Sequence, residues 1–257
     1  AANRREESPL IGDLSLLSLQ EAQKKFPDLQ GFERLLYASG GARVEGALLT
    51  ETLVKASKAE LVEKKVSLTV EGEQLLVDGR SFDCVILAVG AWLGEILRPL
   101  GYKTDVRPQK GQLRDFRLAE KTDDYPVVMP EGELDIIPFL AGTVSVGASH
   151  ENNQGFDLTV DRTVLNQLQQ EAETYLLRLS KAEILGEHVG TRAYTSDFAP
   201  FFGAVPDLPY VYAASGLGSS GLTTGPLIGR QLVQMALGEA VVLDPADYPI
   251  ERYVKKV

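Results

Sequence analysis

The spacing of apolar residues predicts helices in two long segments of the chain. Leu49, Leu53 and Ala56 recur at helical spacing within RVEGALLTETLVKASKAELV, which indicates an amphipathic helix. A clearer helical stripe runs through RTVLNQLQQEAETYLLRL and consists of Leu165, Leu168, Ala172, Tyr175 and Leu179. A shorter helix is predicted in SLQEAQKKFPDLQ, which begins with a capping box and carries a proline that ends the helix.

Short apolar segments predict strands in the remaining chain. VSLTV and QLLVDG indicate two strands joined by a Glu-Gly turn. QLRDFRL, YPVVMP, LDIIPF and TVSVGAS are separated by Gly, Pro and acidic turns, which is typical of an antiparallel sheet. FDCVILAVGAW differs, because its apolar run from Val85 to Val89 is continuous, as in a parallel strand that is buried on both faces.

The order of these patterns predicts an α/β fold with an α+β insert. An α/β segment comes first, a β-rich segment with one long helix interrupts it, and a buried strand, a glycine turn and a helix then return. A chain of 257 residues has ample material for such a core.

Composition and charge exclude several classes of protein. A net charge of -10 offers no basic surface for phosphates, so we expect no nucleic-acid partner. Cys84 is the only cysteine, and His150 and His188 are the only histidines, so we expect no disulfide and no metal site. The sequence has no apolar run of membrane-spanning length and no signal-peptide pattern at its start, AANRREESPL, and we expect a cytoplasmic protein.

A glycine-rich turn in YVYAASGLGSSGLTTGPLIGRQLVQMA is the first candidate for a binding site. It contains G-x-G-x-x-G as Gly216, Gly218 and Gly221, between an apolar run and a helical pattern. A nicotinamide site is disfavoured, because the first acid, Glu239, follows a helix-ending Gly238 instead of a second strand. Two alternatives stay open: a helix N-terminus that faces an anionic or polar ligand, or a turn that only packs helix against strand.

Five segments, taken together, resemble a known family. FDCVILAVGAW is similar to the A-x-G-x-W strand and turn of FAD-dependent oxidoreductases of the D-amino-acid oxidase and glycine oxidase type. The others match in family order from about Gly40 to Ile250; they are GGARVEGALLTETLVKAS, VRPQKGQ, TVSVGASHENNQGFD and VGTRAYTSDFAPFFGAVP. A sixth segment, GLGSSGLTTGPLIGR, matches the final glycine turn and helix of that family.

The resemblance implies FAD as cofactor and an amino acid or related amine as substrate, oxidised by hydride transfer to the flavin. It also implies a partial FAD-binding domain in residues 1–95 and 191–257, interrupted by a substrate-binding domain in residues 96–190. The family's N-terminal dinucleotide-binding motif is absent from these residues, so we expect a carboxyl-terminal portion of a longer flavoenzyme. The alternative is a non-catalytic substrate-binding fragment that does not hold FAD by itself.

The resemblance assigns cofactor contacts to two glycine turns. Gly218, Ser219, Ser220, Gly221 and Leu222 match the turn that presents backbone N–H groups to the pyrimidine side of the flavin. Gly90 matches the turn after the earlier strand, where the backbone approaches the cofactor, and Trp92 is expected to pack there. Ser219 stands where glycine oxidase-like members often carry an arginine.

Substrate contacts are expected at three positions. Arg192 matches the family's carboxylate-binding arginine, and the alternative is a structural arginine paired with Asp197. Gln112 is expected either to contact substrate or to be a structural amide. Asp135 stands where many members have tyrosine and would favour a cationic substrate end, unless it is a hairpin aspartate in water.

The other candidate side chains are given structural roles. We expect Cys84 to be a core residue of the buried strand, and His150 and His188 to lie on the surface. No general base is expected, since a neutral amine can deliver hydride directly. The electron acceptor and the oligomeric state do not follow from the sequence.

Overall fold

The structure is a computed structural model that describes residues 9–72 and 74–257. The chain forms two compact units. Unit 1 comprises the described residues up to Lys58, Gly111–His150 and Leu158–Gly190. Unit 2 comprises Ala59–Lys110, Glu151–Asp157 and Thr191–Val257. The domain boundaries at residues 95 and 190, which carry functional assignments, stay a prediction.

The described residues form a mixture of helices and strands, in agreement with a mixed helix-and-sheet fold. The strands are β1 (Leu14–Ser18), β2 (Arg34–Ala38), β3 (Leu68–Glu71), β4 (Gln74–Val77), β5 (Arg80–Ser81), β6 (Val85–Leu87), β7 (Tyr102–Thr104), β8 (Arg107–Arg117), β9 (Asp135–Pro138), β10 (Thr143–Gly147), β11 (Glu183–Tyr194), β12 (Phe201–Ala204), β13 (Val211–Ser215) and β14 (Val254–Lys256). The α-helices are α1 (Leu19–Gln23), α2 (Gly46–Ser57), α3 (Leu93–Leu97), α4 (Arg162–Glu173) and α5 (Gly221–Ala236).

Unit 1 is built around an antiparallel sheet, as the middle of the sequence predicts. Its strand order is β11-β8-β10-β9, and β10 pairs antiparallel with both β8 and β9. Phe116 faces Val144 across β8 and β10, and both are fully buried. Leu165 and Ala172 of α4 are also fully buried, so the predicted helical stripe covers the apolar side of this unit.

A buried guanidinium ties α4 to the sheet of unit 1. Arg114 of β8 is 3% exposed and donates to Asn166 Oδ1 at 3.0 Å and to Gln169 Oε1 at 2.6 Å. It also donates to Glu187 Oε1 at 2.7 Å, while the exposed Arg162 donates to Glu187 Oε2 at 3.1 Å. The hydrogen bonds from Arg114 and Arg162 lower the pKa of Glu187, although partial burial opposes them.

Unit 2 has a mixed three-stranded sheet at its centre. The strand order is β12-β13-β6, with β13 antiparallel to β12 and parallel to β6. One core lies under β6 and β13 and includes the fully buried Leu93, Leu97 and Phe201. A second core joins α5 to the sheet through Ile228 and Leu232.

Several local predictions are confirmed by the backbone. The capping box at α1 is complete, because the Ser18 hydroxyl accepts from the Glu21 N–H while the Glu21 carboxylate accepts from the Ser18 N–H. β3 and β4 form the predicted antiparallel pair. The strand, glycine turn and helix expected near the end of the chain are β13, a 3₁₀ turn at Gly218–Ser220 and α5.

Other local predictions are wrong, and each error has a physical reason. The run Val85–Val89 forms only the short strand β6, in which Ile86 is 37% exposed, because β6 is the outer strand of its sheet. Cys84 lies just before β6 and is half-buried, so it is not a core residue. α4 ends at Glu173, and the remainder of its predicted stripe continues through a 3₁₀ turn. YPVVMP contributes one isolated bridge at Val128 rather than a strand.

The amphipathic pattern at Leu49 and Leu53 is only half confirmed. These residues belong to α2, yet α2 has no buried residue and Leu53 is 49% exposed. The helical period therefore predicts the element and not its burial. Over residues 9–72 and 74–257, none of the helices combines the length and hydropathy required to cross a bilayer.

Candidate functional site

Two glycine turns of unit 2 lie at one edge of its central sheet. β6 and β13 are parallel neighbours, so the turns that follow them lie at the same carboxyl edge. Gly90 follows β6, and Gly216 follows β13 directly. The Ser215 hydroxyl donates to the Gly90 carbonyl at 2.9 Å and joins the two turns. In open α/β sheets this edge is the usual position of a ligand site.

The glycines of these turns differ in what surrounds them. Gly216 has φ +75°, and a Cβ there would come within 2.9 Å of both the Ala199 carbonyl and the Thr195 methyl group. Gly216 is therefore a packing glycine. Gly218 (φ +53°) and Gly90 (φ +54°) have nothing within 4 Å of a Cβ position, so the backbone at both is open to close approach.

The N-terminal end of α5 is open to an electronegative group. The 3₁₀ turn Gly218–Ser220 leads into Gly221, and no side chain caps the N-terminus of this helix. Its first turn contains no acidic residue. Ser219, Ser220 and Leu222 are exposed, and Leu222 is 45% exposed. The N–H groups of the first turn and the helix dipole favour a negatively charged or electron-rich ligand atom at this end.

Arg192 lies on β11 in unit 2 and is half-buried. Asp197, the structural partner that the sequence suggested, is engaged by other groups. Its carboxylate accepts from Thr195 at 3.0 Å, pairs with Arg252 at 2.8 Å and accepts from the Tyr253 hydroxyl. Burial opposes ionisation of Asp197, but these hydrogen bonds outweigh it and lower its pKa.

The side-chain amide oxygen of Gln112 has a structural role. It is fully buried in unit 1, and its Oε1 accepts from the Asp161 N–H at 2.7 Å. Asp161 is the N-cap of α4, so Gln112 fixes the start of that helix. The backbone of Gln112 also exchanges hydrogen bonds with Ser149, at 2.9 Å to its hydroxyl and 3.0 Å from its N–H.

Asp135 begins β9 in unit 1, opposite Gly147 of β10, and is half-buried. Burial raises the pKa of Asp135, and the nearby His150 opposes that shift. His150 Nδ1 lies 3.0 Å from Glu133 Oε2, without the geometry of a hydrogen bond. The sequence did not single out this group, since His150 and Glu133 stand outside the matched motif positions.

The two histidines differ in exposure. The side chain of His188 is 58% exposed and its Nε2 lies 2.9 Å from Asp115 Oδ2, so it lies on the surface as expected. The side chain of His150 is only 25% exposed. Among the described residues, no group of three or more His, Cys, Asp and Glu side chains has a metal-binding arrangement.

The structure groups the candidate residues by unit. The glycine turns, Ser215 and Arg192 belong to unit 2, whereas Gln112 and Asp135 belong to unit 1. Sequence reasoning missed Ser215, which carries no motif signal of its own because any small residue satisfies the strand pattern.

Comparison with known proteins decides the family. The sequence model of the FAD dependent oxidoreductase family, DAO, matches residues 1–235. The chain belongs to this FAD-dependent oxidoreductase family. It is an oxidoreductase of the glycine oxidase type, as the five motifs of the sequence predict, and its relatives in the family are FAD-dependent.

Relatives with curated descriptions agree with the family match. The chain is 38% identical to the uncharacterized oxidoreductase YurR of Bacillus subtilis over 96% of this chain and 69% of that protein. It is 30% identical to the glycine oxidase of Pseudomonas aeruginosa over 91% of this chain and 67% of that protein.

Solved structures of the family share the fold. The iminodiacetate oxidase IdaA from Chelativorans sp. BNC1 is 32% identical, with a TM-score of 0.91 over 96% of this chain and 69% of that one. The glycine oxidase of Geobacillus kaustophilus has a TM-score of 0.85 at 20% identity over 98% of this chain and 71% of that one.

The residues at the carboxyl edge fit a flavin cofactor. The open backbone at Gly90 and Gly218 allows a flat ligand to approach without meeting a Cβ. The uncapped first turn of α5 presents the partial positive charge that an electron-rich ring edge needs. Both features belong to unit 2 and come from separate segments of the chain.

Proposed function

We propose that this protein oxidises a small amino acid or related secondary amine, using FAD as the electron acceptor of the chemical step. The observation that carries the proposal is the pair of open glycine turns joined by the Ser215–Gly90 hydrogen bond. Support also comes from the relatives, because an iminodiacetate oxidase and glycine oxidases act on amines that bear a carboxylate next to the nitrogen-bearing carbon.

The cofactor-binding role is assigned to Gly90 and to the segment Gly218, Ser219, Ser220, Gly221 and Leu222. FAD, when bound, supplies the hydride acceptor. The first-turn N–H groups of α5 would stabilise the negative charge that develops on the reduced ring, since they are fixed before the reaction and need no reorganisation. Because Gly90 has no Cβ, its backbone would leave room for the cofactor at this edge of the sheet.

Arg192 is proposed to bind the substrate carboxylate. A guanidinium binds a carboxylate through two parallel hydrogen bonds, which fixes the orientation of the substrate as well as its position. Orientation matters because hydride transfer requires the substrate C–H bond to point at the acceptor atom. Asp197, the partner in the structural alternative, pairs with Arg252 and accepts from Thr195 and Tyr253.

Asp135 is proposed to attract a cationic group of the substrate, so that the enzyme would prefer substrates with a second amine. Its half-buried carboxylate lies in unit 1, where a cationic group would relieve the unfavourable burial of a negative charge. Gln112 is given a supporting role, because its Oε1 is already engaged by the Asp161 N–H. No general base is assigned, since a substrate amine that binds in its neutral form loses only a hydride in the oxidation step.

The substrate preference of Asp135 can be tested by charge reversal. Asp135→Lys in the FAD-loaded enzyme should lower kcat/KM for a diamino acid about tenfold or more relative to glycine, because attraction becomes repulsion at short range. Asp124→Asn, at an exposed position of the same unit, is the matched control. An unchanged ratio of the two substrates in Asp135→Lys would remove Asp135 from the proposal.

Binding of FAD separates the proposed function from the alternative of a non-catalytic substrate-binding fragment. The function requires that the protein retains FAD and that its flavin is reduced by an amino acid in the absence of oxygen. A protein that binds amino acids but retains no FAD would favour the alternative.

A further inference from the structure

A short excursion of the chain is the starting observation. His150 and Leu158 belong to unit 1, yet Glu151–Asp157 between them belongs to unit 2. We call Glu151–Asp157 the excursion loop; it contains no helix or extended strand. Ordering a loop costs backbone entropy at every residue, so the contacts that fix it must be substantial.

Both ends of the excursion loop are anchored on the first residues of β8. Glu151 and Lys110 exchange two backbone hydrogen bonds, of 2.9 Å and 3.0 Å. Gln109 donates its side-chain amide to Asn152 Oδ1 at 2.8 Å. At the other end, Asp157 Oδ2 lies 3.5 Å from Nζ of Lys110, whose side chain is 4% exposed. A buried ammonium requires a charge partner, so this ion pair holds the end of the loop in place.

Between its anchors, the excursion loop places an aromatic ring on Trp92. Phe156 and Trp92 stack with centroids 4.9 Å apart and planes 20° apart. Trp92 follows Gly90 by two residues, at the carboxyl edge where the Ser215 hydroxyl bonds to Gly90. Despite this stacking, Trp92 is 44% exposed. A large aromatic residue that is fixed by a partner and still open to solvent is suited to contact a flat ligand.

We propose that the Trp92–Phe156 pair is a positioning element of the FAD site, in which the excursion loop holds the indole against one planar ring of the cofactor. The inference rests on the flavin function proposed above. It extends that function to a segment distant in sequence from both glycine turns. Phe156 acts through Trp92, since it sets the orientation of the indole.

The affinity for FAD gives a direct test. Trp92→Leu and Phe156→Leu should each weaken FAD binding by roughly 10- to 100-fold, as expected for loss of one aromatic stacking contact. The dissociation constant is measured by titrating the apoprotein with FAD and following flavin fluorescence. Phe198→Leu is the matched control, because Phe198 is also exposed in unit 2 and stacks on Tyr194 at 5.6 Å. This control should bind FAD as the wild type does.

A purely structural role of the pair would give a different result. In that case both variants would lower the denaturant midpoint of the apoprotein and leave the FAD dissociation constant of the folded protein unchanged, which would overturn the proposal. Asp157→Asn provides a second route, since it loosens the loop without touching either ring and should also weaken FAD binding. Equal FAD affinity in Trp92→Leu, Phe156→Leu and the wild type would likewise overturn it.

Two smaller ligands distinguish which ring is bound. If the indole contacts the isoalloxazine ring, Trp92→Leu weakens binding of riboflavin and leaves binding of ADP unchanged. If it contacts adenine, the reverse is expected, and either result supports the proposal. A wild type that binds no FAD contradicts the flavin function and this inference together. Equal FAD binding by the wild type, Trp92→Leu and Phe156→Leu contradicts only the inference.

Discussion

Individual glycines in the late turn differ in what a methyl group would do. Gly216→Ala places Cβ 2.9 Å from the Ala199 carbonyl at φ +75°, so both left-handed strain and overpacking apply. Gly218→Ala introduces only the left-handed backbone strain, because the space around its Cβ is open. We expect Gly216→Ala to lower the free energy of unfolding by about 2–5 kcal/mol and Gly218→Ala by about 1–2 kcal/mol.

The two glycine variants should also differ in their affinity for FAD. Gly218→Ala should weaken FAD binding while the protein remains folded, since its Cβ would occupy the space assigned to the cofactor. Denaturant unfolding and FAD titration on the same samples measure both quantities. Loss of equal stability in the two variants would contradict the division into a packing glycine and an open glycine.

The sequence pattern could reveal these turns but not the division between their glycines. G-x-G-x-x-G shows where a backbone can turn tightly. The clash at Gly216, however, arises from Ala199, which lies outside the motif and is distant from it in sequence. Arg192 has a similar status. The family motif singles it out in the sequence, whereas the contacts of Asp197 with Arg252 and Tyr253 depend on the tertiary structure.

Among the elements, α4 is attached to the sheet by a buried guanidinium as well as by Gln112, whose side chain accepts from the N-cap residue. Arg114→Met should lower the free energy of unfolding by about 3 kcal/mol, because Asn166, Gln169 and Glu187 lose a buried donor. Arg162→Met is the matched control, since the Arg162 side chain contacts the same carboxylate but is 79% exposed, and should change stability by less than about 1 kcal/mol. Similar losses in both variants would contradict the role given to burial.

The same attachment predicts an acid limit to stability. The hydrogen bond from Arg114 lowers the pKa of Glu187 in the folded state, so the unfolded chain binds more protons as the pH falls. The contribution of Glu187 is therefore present above its ordinary pKa of 4.5 and is lost as the pH drops through the lower folded value. Denaturant titrations of wild type and Glu187→Gln should show a shallower acid dependence in the variant, and parallel curves would contradict this.

At the level of elements, periodicity gave the type of structure more reliably than its surroundings. The stripe of α4 is buried as its period indicates, while α2, with a similar signal at Leu49 and Leu53, has no buried residue. The continuous apolar run after Cys84 indicated burial on both faces, yet Ile86 is exposed because β6 is an outer strand. Burial depends on neighbouring elements, which a local pattern cannot specify.

In the whole molecule, the order of motifs was more informative than any single motif. GLGSSG alone left a structural turn and a ligand site open, and the five segments together led to the family that the comparisons show. What could not be predicted is the excursion loop, because its assignment to unit 2 results from contacts with Lys110, Gln109 and Trp92. The chain spans 69% of the length of YurR and of the iminodiacetate oxidase.

The central claim is that Arg192 orients a substrate carboxylate for hydride transfer to FAD. The most direct test is to mix FAD-loaded wild type and Arg192→Lys with glycine or iminodiacetate in the absence of oxygen, and to follow loss of the visible flavin absorbance. Arg34→Lys, at an exposed position of unit 1, controls for loss of an arginine elsewhere. We predict reduction in the wild type and the control, and reduction that is about 10- to 100-fold less efficient in Arg192→Lys, because lysine cannot form the paired hydrogen bonds. Equal rates and equal half-saturating substrate concentrations in Arg192→Lys and the wild type would contradict the account.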